Sequence, residues 1–310
     1  YKTVLPWWKS KDFKRVVEKD EKYAVAGYRF VRGHFGYGFR HEIPGKPIYI
    51  TILRNGAERC ISVYGHWQNV YKQRAEKGKN FSHPIFKAGE SLNSFVKDKE
   101  RSEVFNNRMA YMLSVDADRR AEAKKQFGSN ILDSFPKEID LSRYRKIPIK
   151  NHYELALKHL DEFAFVGIQH YFQESLLLLA ALFNWRPMMT EKRYMVHKNR
   201  LDAKDLDEKT LREIEKLNEY DQRIVDYAEK KFKSQYLDLI EKKLGKKLAW
   251  KDFLKDREKI NDQLFEQLMK DHKKHLWMRP PHKALYAIIN ERKNRLRVSR
   301  EFSQRKKLGG

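Results

Sequence analysis

Residues 47–64 read PIYITILRNGAERCISVY and predict a strand, a tight turn and a helix in direct succession. The opening part, PIYITIL, is almost continuously apolar, which is typical of a strand covered on both faces in a parallel sheet. Asn55 can cap the following helix, and Glu58 stands three residues later, at the spacing of a capping box. We therefore predict a buried strand over 47–53 that delivers Arg54 to the start of a helix.

Elsewhere the sequence alternates predicted helices with a few predicted strands. Apolar spacing predicts helices over Asp12–Glu21, Ala57–Arg74, Phe86–Val115 (in pieces), Asn151–Glu162, Phe172–Trp185 and Asp207–Leu244, and strands over Tyr23–Val31 and Phe163–Ile168. This alternation indicates a three-layer α/β fold with a parallel sheet. Ligands of such folds bind at the carboxyl ends of the strands, which here are the loop at His34 and the turn at Arg54.

The composition limits the classes of function. The 310 residues include 66 Lys and Arg against 42 Asp and Glu, which gives a formal net charge of +24. Such a surface attracts polyanions, and a 41% share of hydrophobic residues excludes wholesale disorder. No apolar run reaches the roughly 18 residues of a membrane span. Cys60 is the single cysteine, so an internal disulfide and a cysteine-based zinc site are excluded, and no histidine spacing indicates another metal site.

The predicted turn at Arg54 has the features of a phosphate site. A helix N-terminus presents free backbone N–H groups and the positive end of its dipole, and an arginine adds a planar fork that fits phosphate oxygens. Ser62 follows Asn55 by seven residues, or about 700° of helix rotation, and so projects on the same side. Arg54 and Ser62 could hold one phosphate between them. The alternative is a surface arginine and a serine hydroxyl bonded back to its own helix.

The same stretch resembles a motif of carbohydrate sulfotransferases that use 3′-phosphoadenosine-5′-phosphosulfate (PAPS), a group that includes the heparan sulfate 2-O-sulfotransferase type and its bacterial relatives. LRNGAERCISVY at 53–64 is similar to the pattern L-R-D-P-x-x-R-x-x-S-x-Y, with Asn-Gly in place of Asp-Pro. Further segments follow in the order of the family: Gly33-His34-Phe35, the stretch 163–178 (FAFVG, then Phe172, Ser175 and LLL), and Asn218-Glu219-Tyr220-Asp221. His170 stands where the family usually has glutamate.

The resemblance implies a fold, a reaction and a set of site residues. The fold would be the P-loop-NTPase-like sulfotransferase fold with a parallel sheet, with a core over residues 1–200, a helical part of the same domain over 201–250, and a long basic helical extension over 251–310. Arg54 and Ser62 would bind the 3′-phosphate of PAPS, and Arg59 would support that site from behind. His34 would be the catalytic base that deprotonates the acceptor, a hydroxyl of a poly- or oligosaccharide. An anionic acceptor would suit the basic charge; a specific nucleic acid and a metal are not expected.

One element of the family is not found in the sequence. The donor loop P-K-T-G-G/S-T-S, which cradles the 5′-phosphosulfate, has no counterpart, because Lys2-Thr3 is followed by Val4 rather than glycine. Two explanations stay open: a chain that starts downstream of the loop, or a family member that has lost catalysis. The alternative function is a non-catalytic basic protein that binds polyanions or nucleic acid. The sequence favours a cytoplasmic location and leaves the Golgi lumen open, should an anchor precede residue 1.

Overall fold

The computed structural model describes residues 4–6, 30–32, 36–42, 46–80, 82, 85–114, 147–189 and 205–278. The chain divides into two units. The larger one comprises Tyr49–Ser114 and Ser142–His272, and the smaller one comprises Tyr1–Ile48, Val115–Leu141 and Lys273–Gly310.

The described part of the smaller unit holds a pair of parallel strands. β1 (Val4–Pro6) pairs with β2 (Phe30–Arg32), with Val4 opposite Phe30, and a 3-10 helix follows over Tyr37–Glu42. β2 includes the last two residues of the strand predicted over 23–31. The predicted helix over 12–21 and the loop at His34 lie outside the described residues.

The larger unit holds a second pair of parallel strands. β3 (Ile50–Leu53) pairs with β4 (Phe165–Ile168), and Leu53 lies opposite Ile168. Both elements were predicted as strands, and their parallel pairing agrees with the α/β prediction. The prediction that β3 is covered on both faces is wrong at Ile52, whose surface is 39% exposed. Within the described residues β3 pairs with β4 alone, and Leu53 is its one buried side chain.

Helices make up most of the described chain. In order they are α1 (Gly56–Ala75), α2 (Leu92–Lys97), α3 (Lys99–Ser102), α4 (Arg108–Ser114), α5 (Ile149–Asp161), α6 (Phe172–Phe183), α7 (Glu208–Leu217), α8 (Glu219–Leu244), α9 (Trp250–Lys255) and α10 (Arg257–Met278). Short 3-10 turns lie at Glu103–Phe105 and Gln169–Tyr171. The helices predicted at 57–74, 151–162 and 172–185 are confirmed within a few residues, and the stretch predicted as helical in pieces over 86–115 is helical in pieces from Leu92 to Ser114. None of the described helices is long and apolar enough to cross a bilayer.

The single helix predicted over 207–244 is in fact two helices that meet at Asn218. The backbone of Asn218 leaves the helical region (φ −120°, ψ 23°), and its side-chain Nδ2 donates a hydrogen bond of 2.8 Å to the carbonyl of Ile214. A short amide side chain competes in this way with the backbone for helical hydrogen bonds. The apolar spacing continues across the break, so periodicity alone predicted one long helix.

The core of the larger unit is built around α8. Ile224, Ala228, Phe232, Tyr236 and Ile240 are buried along one side of α8, at four-residue steps. Buried side chains of β4, α5 and α6 join the same cluster, as do four from α9 and α10: Phe253, Ile260, Leu264 and Leu268. The first part of the predicted C-terminal extension, residues 253–268, therefore contributes to this core.

Candidate functional site

The described part of the predicted site lies at the carboxyl edge of the β3–β4 pair. Because the two strands are parallel and Leu53 faces Ile168, Arg54 and the turn at Gln169–Tyr171 leave the sheet at the same edge. Gln169 and His170 are exposed there. The ring of His170 lies edge-on to that of Tyr171, with 4.9 Å between centroids. His34, the predicted base, lies outside the described residues.

Two backbone N–H groups in the first turn of α1 have no acceptor among the described residues. Asn55 serves as the N-cap: its Oδ1 accepts from the backbone N–H of Glu58 at 3.0 Å, and its carbonyl accepts from that of Arg59 at 2.9 Å. The backbone N–H groups of Gly56 and Ala57 have no acceptor among the described residues. Helix N-termini normally satisfy such donors with side chains, water or an anion.

Asn55 itself is held in place from α8. Its side-chain Nδ2 donates to Oε1 of Gln222 at 2.5 Å, and Nε2 of Gln222 donates in turn to Asp226 at 2.7 Å. Both ends of the Asn55 side chain are therefore engaged within the protein, so this residue caps and positions α1 rather than contacting a ligand.

Glu58 connects Arg54 to the side of α1 that carries Ser62. Nε of Arg54 donates to Oε2 of Glu58 at 3.3 Å, and Glu58 and Ser62, four residues apart, are neighbours on the helix surface. Ser62 is half-buried, and no hydrogen bond joins its hydroxyl to its own helix within the described ranges. The alternative in which this hydroxyl is bonded back to α1 is therefore not observed.

Arg59 points away from that side and binds α8. Its Nη2 lies 3.3 Å from Oδ2 of Asp221, 3.3 Å from Oδ1 of Asn218 and 3.5 Å from the carbonyl of Phe105. The side chain is mostly buried, and its contacts tie the first turns of α1 to the start of α8. Arg59 thus has no described contact with Arg54 or Ser62. Its contacts instead hold α1 in position.

Asp221 joins three helix N-termini. The carboxylate is fully buried, and besides Arg59 it accepts the backbone N–H groups of Met109 and Ala110, in the first turn of α4, at 2.9 and 2.8 Å. Burial raises the pKa of the Asp221 carboxyl, while Arg59 and the two N–H groups oppose that rise. Asp221 is therefore the internal counter-ion of this junction. The sequence signalled Asn218 and Asp221 only through the family resemblance, because their partners are far away along the chain.

Gly56 permits the close approach of α8. A Cβ built on Gly56 would lie 2.8 Å from Cβ of Asn218 and 3.1 Å from Cβ of Asp221, closer than carbon atoms pack. Proline, which the sulfotransferase pattern has at this place, carries a Cβ and does not fit the packing seen here. The close packing against α8 therefore gives a steric reason why glycine stands here in place of the proline of the pattern.

Ser175 has a structural role at the end of β4. Its hydroxyl accepts the backbone N–H of Ile168 at 2.9 Å and donates to the carbonyl of the same residue at 3.1 Å. A Cβ on Gly167 would come within 2.9 Å of the Ser175 Oγ, so the glycine makes room for this bond. The pair fixes the start of α6 against the sheet edge.

Two other chemistries receive no support at this site. Cys60 is buried, bonded to Nδ2 of Asn218 at 3.2 Å, and burial raises the pKa of its thiol to about 11, so it carries no thiolate at neutral pH. Among the residues that the structure describes, no three His, Cys, Asp or Glu side chains are grouped to hold a metal ion.

A scan against protein-family models gives no match, and searches of curated proteins and of solved structures find no significant similarity to this chain.

Proposed function

We propose that this protein binds the 3′-phosphate of PAPS at the start of α1 and that it is a sulfotransferase acting on a carbohydrate hydroxyl. The proposal includes the three-layer sulfotransferase fold, of which the β3–β4 pair and its flanking helices would be the described part. Arg54 and Ser62 would contact the phosphate, Arg59 would hold α1, and His34 would be the base.

One observation carries the proposal: three segments of the resemblance, distant in sequence, contact one another. β3 and α1 carry the first, and β4, with the hydroxyl of Ser175, carries the second and pairs with β3. The third, Asn218-Glu219-Tyr220-Asp221, abuts Gly56 and binds Arg59. A chance set of short sequence matches would have no reason to converge on one sheet edge.

The residues at this edge also suit a phosphate. Arg54 offers a guanidinium, Gly56 and Ala57 offer backbone N–H groups without an acceptor among the described residues, and Ser62 offers a hydroxyl. These are the donor types that bind phosphate at helix N-termini. Glu58 is the one carboxylate in direct contact with Arg54 among the described residues.

The proposed sulfuryl transfer requires few functional groups of the protein. PAPS would supply the sulfuryl group. The acceptor oxygen forms a bond to sulfur while the bond from sulfur to the phosphate oxygen breaks, and the proton of the acceptor hydroxyl passes to the imidazole of His34. An imidazole with an ordinary pKa near 6.5 is suited to that transfer at neutral pH. Arg54, Ser62 and the start of α1 hold the nucleotide and take no part in proton transfer.

Nucleotide binding tests the proposal most directly. Adenosine 3′,5′-bisphosphate should raise the melting temperature of the protein, and at about 100 times its dissociation constant it should add about 2.7 kcal/mol of stability. Adenosine 5′-monophosphate, which lacks the 3′-phosphate, should add far less. Arg54→Met should abolish the difference between the two nucleotides. Arg74→Met, an equal change of charge at the far end of α1, should preserve it.

Turnover tests the catalytic half separately. His34→Ala should retain stabilisation by the bisphosphate but lose sulfation of a carbohydrate acceptor. Equal stabilisation by both nucleotides would refute the assignment of the phosphate site, and undiminished turnover in His34→Ala would refute the assignment of the base.

A second candidate function, binding of a polyanion without catalysis, draws on the opposite end of α1. Lys72, Arg74, Lys77 and Lys79 are all exposed there, with Glu76 as the one acidic residue in the same stretch. A protein of this kind should respond to any polyanion, with affinity that falls steeply as salt rises. Adenosine 2′,5′-bisphosphate separates the two functions, because it carries the same charge as the 3′,5′-bisphosphate: a polyanion binder should bind both alike, whereas the proposed site should prefer the 3′,5′-isomer.

A further inference from the structure

Glu58 stands between the two residues that the proposed function assigns to the phosphate. Its carboxylate lies 3.3 Å from Nε of Arg54, and it precedes Ser62 by one helical turn on the same side of α1. Its side chain is 51% exposed, whereas that of Arg54 is only 17% exposed. The carboxylate can therefore swing into solvent at little cost, while the guanidinium stays at the helix start.

The carboxylate of Glu58 places a negative charge beside the helix start and the Arg54 guanidinium, as a bound phosphate would. A negative side chain in the first turn interacts favourably with the helix dipole. Paired with Arg54, it also supplies an anion to the guanidinium that the phosphate would bind. An incoming phosphate must replace this carboxylate at Arg54 and then remain beside its negative charge.

We propose that Glu58 is an internal competitor of the 3′-phosphate, which weakens nucleotide binding at Arg54 and thereby speeds release of the bisphosphate product. The inference rests on the proposed function. The nucleotide keeps its 3′-phosphate after the sulfuryl group has left, so competition at Arg54 acts on the product as well as on the donor. Ligands without a 3′-phosphate do not displace Glu58, and their binding is independent of it.

The test compares Glu58→Gln with the wild-type chain by isothermal titration calorimetry. Glutamine keeps the length of the side chain and is accepted at this capping position. The variant should bind adenosine 3′,5′-bisphosphate about three- to tenfold more tightly, which is the range expected when an exposed ion pair no longer has to be broken and a like charge is removed. Its binding of adenosine 5′-monophosphate should be unchanged.

Glu76→Gln is the matched control. Glu76 follows the last residue of α1 and is exposed, and α1 has 20 residues, so the same change of net charge lies about 30 Å from Arg54. Bisphosphate binding by this variant should equal that of the wild type. An equal gain in both variants would mean a general effect of charge and would overturn the inference.

The remaining outcomes separate the inference from the proposed function. If the wild type binds the bisphosphate and Glu58→Gln binds it no better, the competitor role of Glu58 is wrong, and the phosphate site stands. If neither protein distinguishes the bisphosphate from the monophosphate, both proposals fall.

Discussion

Gly56 gives the sharpest test of the packing beneath the candidate site. Substitution by alanine places a Cβ 2.8 Å from Cβ of Asn218 and 3.1 Å from Cβ of Asp221. Both neighbours are the first atoms of their side chains, so rotation about a side-chain bond does not remove them. The start of α8 must shift relative to α1, and Arg59 and Asp221 must shift with it.

Gly65, in the middle of the same helix, is the matched control. A Cβ on Gly65 meets nothing within 4 Å. Gly65→Ala should therefore stabilise the protein by about 0.5–1 kcal/mol, because alanine restricts the unfolded chain and suits a helix better than glycine does. Gly56→Ala has a similar or smaller gain in helix propensity, but it forces a methyl group into packed atoms, which costs about 1–3 kcal/mol of stability. We therefore expect this variant to lose about 1–2 kcal/mol of unfolding free energy.

Urea unfolding followed by far-ultraviolet circular dichroism measures both variants. With equal slopes, the midpoint should rise for Gly65→Ala and fall for Gly56→Ala. Bisphosphate binding should weaken in Gly56→Ala alone, because the donors of Gly56 and Ala57 move with the helix start. A midpoint that rises equally in both variants would show that α8 does not press against α1 at this point, and the argument for a close-packed junction would fail.

Two ion pairs give further predictions. Arg59→Met leaves the buried carboxylate of Asp221 without its cation and should cost about 3–5 kcal/mol of unfolding free energy. Arg59 opposes the rise in the Asp221 pKa that burial causes, so its loss raises that pKa further. The deficit should therefore grow as the pH rises through the wild-type pKa of Asp221, and a pH-independent deficit in urea titrations would contradict the assignment. Nη1 and Nη2 of Arg101 donate to the Glu90 carboxylate at 2.7 and 2.6 Å, and these bonds lower the Glu90 pKa from its ordinary 4.5. Their stabilisation is present above that pH and disappears as the pH falls through the lowered value, so Arg101→Met should destabilise the protein more at neutral pH than near pH 3; equal losses at both would refute this.

Local signals predicted the elements that local interactions determine. Asn55 and Glu58 stand at the capping spacing, and the structure places the start of α1 there, with Asn55 Oδ1 bonded to the N–H of Glu58. The apolar run before Arg54 predicted β3 for the same reason, since composition and length suffice to mark a strand. The ion pair of Arg54 with Glu58 was missed, although it too is local. Arg54 precedes the helix, so the spacing rule for pairs on a helix surface does not cover it.

Contacts between distant residues account for the features that the sequence did not reveal. The break at Asn218 depends on a side chain that also binds Cys60 and Arg59, about 160 residues earlier in the chain. The exposure of Ile52 depends on which elements pack on that face of β3, and no property of the PIYITIL run specifies that. Sequence periodicity reports the face that a helix buries, but it does not report which helix N-termini meet at Asp221.

The two carboxylates near the start of α1 differ in a way that bears on function. Asp221 is fully buried and accepts three donors, from Arg59 and from the first turn of α4, so an incoming anion cannot replace it without breaking the junction. Glu58 is half exposed and makes one side-chain contact of 3.3 Å, with Arg54, among the described residues. An exposed pair of this kind is worth at most about 1 kcal/mol, whereas breaking a buried one costs about 3–5 kcal/mol. A phosphate that arrives at this helix start would therefore exchange with Glu58 and leave Asp221 in place, which is why the two sides of α1 can serve binding and structure separately.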